Sequence, residues 1–376
     1  MPVSLTGGRV LVPDGTLSPA DLHFANGLIT EEPASNAVQI DCTGYHVMPG
    51  IVDIHGDAFE MALFPRPGVG MPFDIAMGSV DRQLVASGIT TAFHGLSVSW
   101  EPGARSLDAG RRFMQAMGER RGGFLADHRV QIRWETYAHE AIEDVKGWLA
   151  LDLAPSLAFN NHTPATIKKI NGGDPLALDR FAMRAGLSTD GYLAEFEQMM
   201  RCADDVPGRI RELAARAAQL GTPMLAHDEP TPAVRAEHRA LGMKISEFPM
   251  ARDVAADATA HGEHVVMGGP NVIRGGSHIG WMSAEEAVRE GVCDIIASDY
   301  YYPSLLSAAE RFVNRGVMPL ERAWQLISGN PAAAMGLSDR GALAPGRRAD
   351  IAIVDCTGPW RVVHTIAAGR LVSFGR

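Results

Sequence analysis

Apolar residues along this chain gather in short runs, and between the runs they return at helical spacing. Eight runs read as strands: Ile51–Ile54, Thr90–Phe93, Val130–Trp134, Ser156–Phe159, Pro223–Ala226, Ile245–Phe248, His264–Met267 and Asp294–Ala297. Alternation of such runs with amphipathic segments predicts parallel strands joined by crossover helices. Eight units favour an α/β fold of the (β/α)8 TIM barrel type over a doubly wound sheet. One connection, from Thr163 to about Leu220, is much longer than the rest and carries Lys168, Lys169, Arg180 and Arg184. A connection of that length is expected to serve a site or a subunit contact.

The two ends differ in texture from the middle. Gly8–Val12, Asp21–Phe24, Ala37–Ile40 and Tyr45–Met48 are strand-length runs broken by Gly, Pro and Asn, and the stretch from Gly341 through Ala349–Val354 to Leu371-Val372 resembles them. They predict a small discontinuous β-sandwich-like domain built from residues 1–50 and 340–376, with the barrel at 51–339. A length of 376 residues accommodates a barrel of about 250 residues and such a satellite.

Charge and cysteine usage narrow the function classes. A formal charge of -10 with no dense basic run argues against nucleic acid as a partner, so an anionic substrate needs a local basic pocket. Cys42, Cys202, Cys293 and Cys356 are widely spaced and form no CxxC pair, which speaks against a disulfide framework or a thiolate zinc site and predicts reduced, buried thiols. The N-terminus lacks a basic segment followed by an apolar one, and no run approaches the length of a membrane span. The expectation is a cytoplasmic protein without membrane contact, and the frequency of oligomers among barrels makes a homodimer the default assembly.

Chemistry-bearing residues fall at the C-terminal ends of the apolar runs. The first run ends in His55-Gly56-Asp57, and the period-2 geometry of a strand puts His55 and Asp57 on one face. The third ends in Glu135, the fourth leads into His162, the fifth into His227-Asp228-Glu229 and the eighth into Ser298-Asp299. These are the strand ends where barrel enzymes carry out their chemistry. His55, Asp57, Glu135, His162, His227 and Asp299 are therefore candidate ligands for one or two divalent ions, with zinc the expected metal and Glu135 able to bridge a pair. Such an ion lowers the pKa of bound water from about 15.7 towards 7. Asp299 is the candidate catalytic residue, accepting the proton of that water; the alternative is that it only ligates. His94 reads as structural, and His128, His139, His238 and His261 as surface residues.

The stretch Met48–His55 and the closing Pro345–Asp350 resemble the barrel entry and exit of the amidohydrolase superfamily. Within it, His55-Gly56-Asp57, Phe64–Pro67, Val85–Thr91, His227-Asp228, Met267–His278 and Ser298–Tyr301 are similar to the α-D-ribose 1-methylphosphonate 5-triphosphate diphosphatases of the carbon-phosphorus lyase pathway. That resemblance covers nearly the whole chain. It implies hydrolysis of a phosphorylated sugar, a triphosphate, to a 5-phosphate and pyrophosphate, in phosphonate catabolism. Basic side chains must then meet the phosphates, and Arg66, Arg274, Lys168, Lys169 and His278 are the candidates. Arg274, set among glycines, also suggests backbone amides exposed to an anion.

Two departures qualify the resemblance. The superfamily commonly places a carboxylated lysine on strand four and histidines on strands five and six, whereas Glu135, His162 and His227 fall one strand earlier in this chain. The stretch from Ala165 to Gly186 diverges and is expected to cover the substrate. Rival readings are an amidohydrolase acting on a C–N bond, with few cations in the pocket, and a barrel that has become a scaffold, which should have lost its metal ligands.

Overall fold

The computed structural model describes residues 1–66, 68–172, 175–277 and 280–374. Eight parallel strands lie side by side in chain order: Ile51–Gly56, Ile89–Val98, Asp127–Glu135, Ser156–Asn160, Met224–His227, Ile245–Glu247, His264–Gly268 and Ile295–Ala297. Each predicted run lies on one of them. These strands are buried on both faces, which is why they read as near-continuous apolar segments. Inside the ring, Val52, Ile54, Phe93, Leu225, Val266 and Ile295 share one apolar cluster.

The ring closes between the first and eighth strands. Gly56 pairs with Asp299 in a parallel bridge, the Asp57 amide donates to the Asp299 carbonyl at 2.9 Å, and the Asp299 amide donates to the His55 carbonyl at 2.9 Å. Beneath this seam, Asp53 accepts from the Ser298 amide at 3.0 Å and from its hydroxyl at 2.5 Å. Glycine at 56 permits the approach: a Cβ there would stand 2.8 Å from Asp53 Oδ2 and 3.0 Å from Ser298 Oγ.

Helices cover the outside. Leu107–Arg120 is typical: Phe113, Met114 and Met117 form its buried face, and the Ser106 hydroxyl caps it by accepting from the Ala109 amide. The long connection after the fourth strand holds the helices Thr163–Asn171, Pro175–Ala185, Thr189–Met200 and Val206–Leu220. No helix among the described residues is long and apolar enough to cross a membrane.

The terminal segments form two further sheets. One joins Arg370–Phe374, Arg361–Ala367, Ile351–Asp355, His46–Pro49, Arg9–Leu11 and Leu17–Pro19; the other joins Leu28–Thr30, Leu22–Ala25, Val3–Thr6 and Val38–Asp41. Pairing of His46–Pro49 with Ile351–Asp355 brings the two ends of the chain together. Leu5, Phe24 and Ile29 of one sheet share a core with Val47, Ile353 and Ile366 of the other, so the sheets pack as a sandwich.

Some details differ from expectation. His128 is fully buried rather than on the surface: the third strand starts at Asp127, so His128 lies inside it, where its ring meets Asp81 at 3.0 Å and His94 at 2.8 Å. His238 is half-buried against Glu229 at 2.7 Å. All four cysteines are free, but only Cys42 and Cys293 are buried.

Candidate metal centre

Polar side chains converge where the strands end. On the third strand the apolar residues Val130, Ile132 and Trp134 alternate with Gln131, Arg133 and Glu135, which therefore share the opposite face. Gln131 Nε2 donates to Glu247 Oε1 at 2.7 Å. Arg133 donates to Asp57 Oδ2 at 3.4 Å and to His227 Nε2 at 3.3 Å. Glu135 accepts from His162 Nδ1 at 2.5 Å.

Each of the first two histidines is oriented by a carboxylate. His55 Nδ1 donates to Glu247 Oε1 at 2.8 Å, leaving Nε2 with a free lone pair. His162 does the same through Glu135, and its Nε2 lies 3.6 Å from Asp228 Oδ2. The rings of His55 and His227 are 5.7 Å apart and those of His162 and His227 5.8 Å apart, with Phe248 edge-on against His55 and His227.

The strand ends carry backbone strain. Asp228, Phe248 and Asp299, just past the fifth, sixth and eighth strands, all adopt positive φ (56°, 54° and 56°). For residues other than glycine this costs about 1–3 kcal/mol each. The turns aim successive side chains at the centre of the ring mouth.

Burial and charge set the protonation states. Burial alone would push the Glu247 carboxyl up, but the charge and hydrogen bond of His55, with His227 and Arg133 behind it, bring it down to about 2. Burial likewise opposes charge on His55, yet Glu247 holds its imidazolium above the usual histidine value. His162 is raised to about 9 because the nearby Asp228 carboxylate and the hydrogen bond to Glu135 outweigh its desolvation. Burial raises the Asp299 carboxyl, and neighbouring Asp57 adds to this against the pull of His55 and Arg133. Asp299 thus moves opposite to Glu135, Asp228 and Glu247, whose carboxyls are held below their ordinary values, and of these four it is the one best placed to take up a proton.

The residues fit a divalent cation. Three sets bring one donor atom from each member within 4.8 Å of the others: His55, Asp57 and Asp299; His55, His227 and Glu247; His162, His227 and Asp228. Glu247 Oε2 is buried with no hydrogen-bond partner, as is His227 Nδ1, which lies 3.1 Å from Asp228 Oδ1 but out of line for a hydrogen bond. A buried carboxylate oxygen left unpaired is costly unless something meets it, and mixed imidazole and carboxylate donors suit zinc, manganese or iron.

Two clefts open from this centre. The first, about 210 Å³, is lined by His55, Asp57, Arg133, His227 and Asp299 and by Arg274. The second, about 200 Å³, is lined by Glu135, His162, Arg105, Trp100 and Lys169. Arg274, exposed, donates to the Tyr300 hydroxyl at 3.5 Å, and Lys169 stands 5.1 Å from the centre of the Phe181 ring. Lys168 is exposed on the same helix as Lys169, and Arg66 lies exposed on a turn with Val69; neither lines these clefts. His278 lies outside the described residues. Phe181, from the divergent stretch, also lines the second cleft.

Sequence reasoning missed Glu247 and Arg133 as members of this site. Both carried a signal: a charged residue at or near the end of an apolar run, and for Arg133 a polar alternation within a buried strand. The strand count itself stands, and the sixth strand ends in Glu247, where the superfamily pattern has histidine.

A closed parallel barrel with histidines and carboxylates at its strand ends defines the class of metal-dependent barrel hydrolases. The amidohydrolase family profile matches residues 77–373, and the chain belongs to that family. It is similar to the α-D-ribose 1-methylphosphonate 5-triphosphate diphosphatase of Escherichia coli (strain K12), 31% identical over 355 residues that span 91% of this chain and 93% of that protein. Adenine deaminase 2 of Agrobacterium fabrum (strain C58) is 24% identical over 389 residues, 99% of this chain and 57% of the deaminase. Among solved structures, an amidohydrolase from a Sargasso Sea environmental sample superposes with a TM-score of 0.65 at 16% identity, over 100% of this chain and 93% of that one.

Proposed function

We propose that this protein is a metal-dependent diphosphatase that hydrolyses α-D-ribose 1-methylphosphonate 5-triphosphate to the 5-phosphate and pyrophosphate. The similarity to the Escherichia coli enzyme over nine-tenths of both chains carries this reading. The cleft adds support, since it brings Arg274 to the same space as His55, Asp57 and Asp299. His55, Asp57, Glu135, His162, His227 and Asp299, joined by Asp228 and Glu247, would hold one or two divalent ions, zinc being the expected one. When bound, such an ion supplies Lewis acidity to a phosphoryl oxygen and acidifies water at the site.

In this reading Arg274, with Lys169 on the other side, binds phosphoryl oxygens and orients the triphosphate. Asp299 takes the proton of the attacking water as a P–O bond forms at the α-phosphorus and the bond to pyrophosphate breaks. Glu247 and Glu135 hold His55 and His162 in one tautomer. The barrel, 51–339, carries the chemistry, and the β unit, 1–50 and 340–376, packs beside it; the proposed setting is cytoplasmic, as a homodimer.

The test is pyrophosphate release from α-D-ribose 1-methylphosphonate 5-triphosphate by zinc-loaded protein, with Asp299→Asn alongside. The reading expects turnover that the variant lowers by about 100-fold or more. Ion-loaded protein that releases no pyrophosphate would refute it. A second reading, hydrolysis of a C–N bond, draws on the adenine deaminase similarity and on Arg66 and Lys168 standing apart from the clefts; adenine turnover would favour it.

A further inference from the structure

Arg133 is the one arginine whose guanidinium reaches both sides of the donor group among the described residues. It is 6% exposed. One nitrogen is on Asp57, from the set with His55 and Asp299, and the other is on His227, from the set with His162 and Asp228. Its Nε is buried without a partner, so the fork is held by these two contacts alone. Room for it is built into the neighbouring strand, where a Cβ at Gly95 would lie 3.0 Å from Arg133 Cδ.

The two contacts differ in what they leave over. A carboxylate has several lone pairs, so Asp57 can receive a guanidinium and still ligate an ion. A neutral imidazole has one acceptor nitrogen. Arg133 can only donate, so His227 Nε2 must accept, and the proton then resides on Nδ1. While Arg133 is in place His227 has no lone pair left for an ion, whichever nitrogen faces it. The set of His162, His227 and Asp228 is then one ligand short, whereas His55, Asp57 and Asp299 is complete.

We propose that Arg133 is a resident second cation that makes this a one-ion centre, loaded at His55, Asp57 and Asp299, with His227 serving the arginine rather than the metal. This rests on the reading of the site as metal-binding, but not on the identity of the substrate.

The test is a cobalt(II) titration of the full chain, freed of metal, following the visible d–d absorption and confirmed by elemental analysis. Wild type is expected to saturate at one equivalent, Arg133→Met at two, and His227→Ala still at one. Saturation of wild type at two equivalents, a folded Arg133→Met that stays at one, or loss of the ion from His227→Ala would each overturn the proposal. If Arg133→Met does not fold, the wild-type count and His227→Ala decide. A wild type that takes up no ion would instead remove the metal reading itself.

Discussion

Replacing Glu247 by glutamine probes the orientation of His55. Glu247 is wholly buried and accepts two hydrogen bonds, from His55 Nδ1 at 2.8 Å and Gln131 Nε2 at 2.7 Å. Glutamine preserves the volume and one acceptor oxygen but removes the charge and sets an NH2 group beside His227. Loss of such a supporting carboxylate weakens metal affinity by about 10–100-fold, and full burial, where screening is least, places this case near the upper figure, about 2.7 kcal/mol. The pH dependence follows from the sign of the His55 shift. In the ion-free wild type His55 is held above its ordinary value, so protons compete with the ion up to that raised pKa; the variant loses this competition. The wild-type advantage is therefore largest above the raised pKa of His55 and shrinks as pH falls through it. Competition titration against a chromophoric chelator across pH, with circular dichroism to confirm folding, measures this. A folded variant within threefold of wild type at alkaline pH would refute the role assigned to Glu247.

Arg274→Ala should raise KM for the triphosphate by about 10–100-fold with kcat little changed, as read in steady-state kinetics; an unchanged KM would place the phosphates elsewhere. Asp127 receives Arg121 at 2.8 Å, Arg129 at 3.0 Å and Arg340 at 2.8 Å; burial opposes its charge, but the arginines hold its carboxyl far below the ordinary 3.8. Its contribution is thus present above that ordinary value and lost as pH falls below it, so Asp127→Asn should cost about 3 kcal/mol at pH 7 with the gap closing in acid, measured by thermal melts. Gly56→Ala should destabilise by about 1–3 kcal/mol through overpacking at the seam, visible as a lowered Tm.

The barrel was legible because parallel strands buried on both faces advertise themselves: Val265-Val266-Met267 or Ile295-Ile296-Ala297 admits few other readings. The small sandwich was less so. Leu17–Pro19 and Leu28–Thr30 are three-residue strands, too short to show an alternation of their own, and the four-residue Val3–Thr6 pairs with Leu22–Ala25 and Val38–Asp41 across intervening strands. Within the site, residues just past an apolar run, such as His55, Asp57 and Asp299, stood out, because the change from apolar to polar marks the strand end. Arg133 and Glu247 lie inside their runs, where a polar residue reads as an interruption until the ring shows which face points inward. His128 was misplaced for the same reason, since its strand begins three residues before the apolar run starts.

The seam between the first and eighth strands has a consequence for how the protein is made. His55 and Asp57 emerge from the ribosome some 240 residues before Asp299, and the most complete donor set draws on both. A nascent chain that has not reached its last barrel strand therefore lacks the third donor of this set. On the proposed reading, an ion at this set would mark completed synthesis of the ring and would work as a clasp, fastening the two strands that the chain itself joins only by way of the whole circuit.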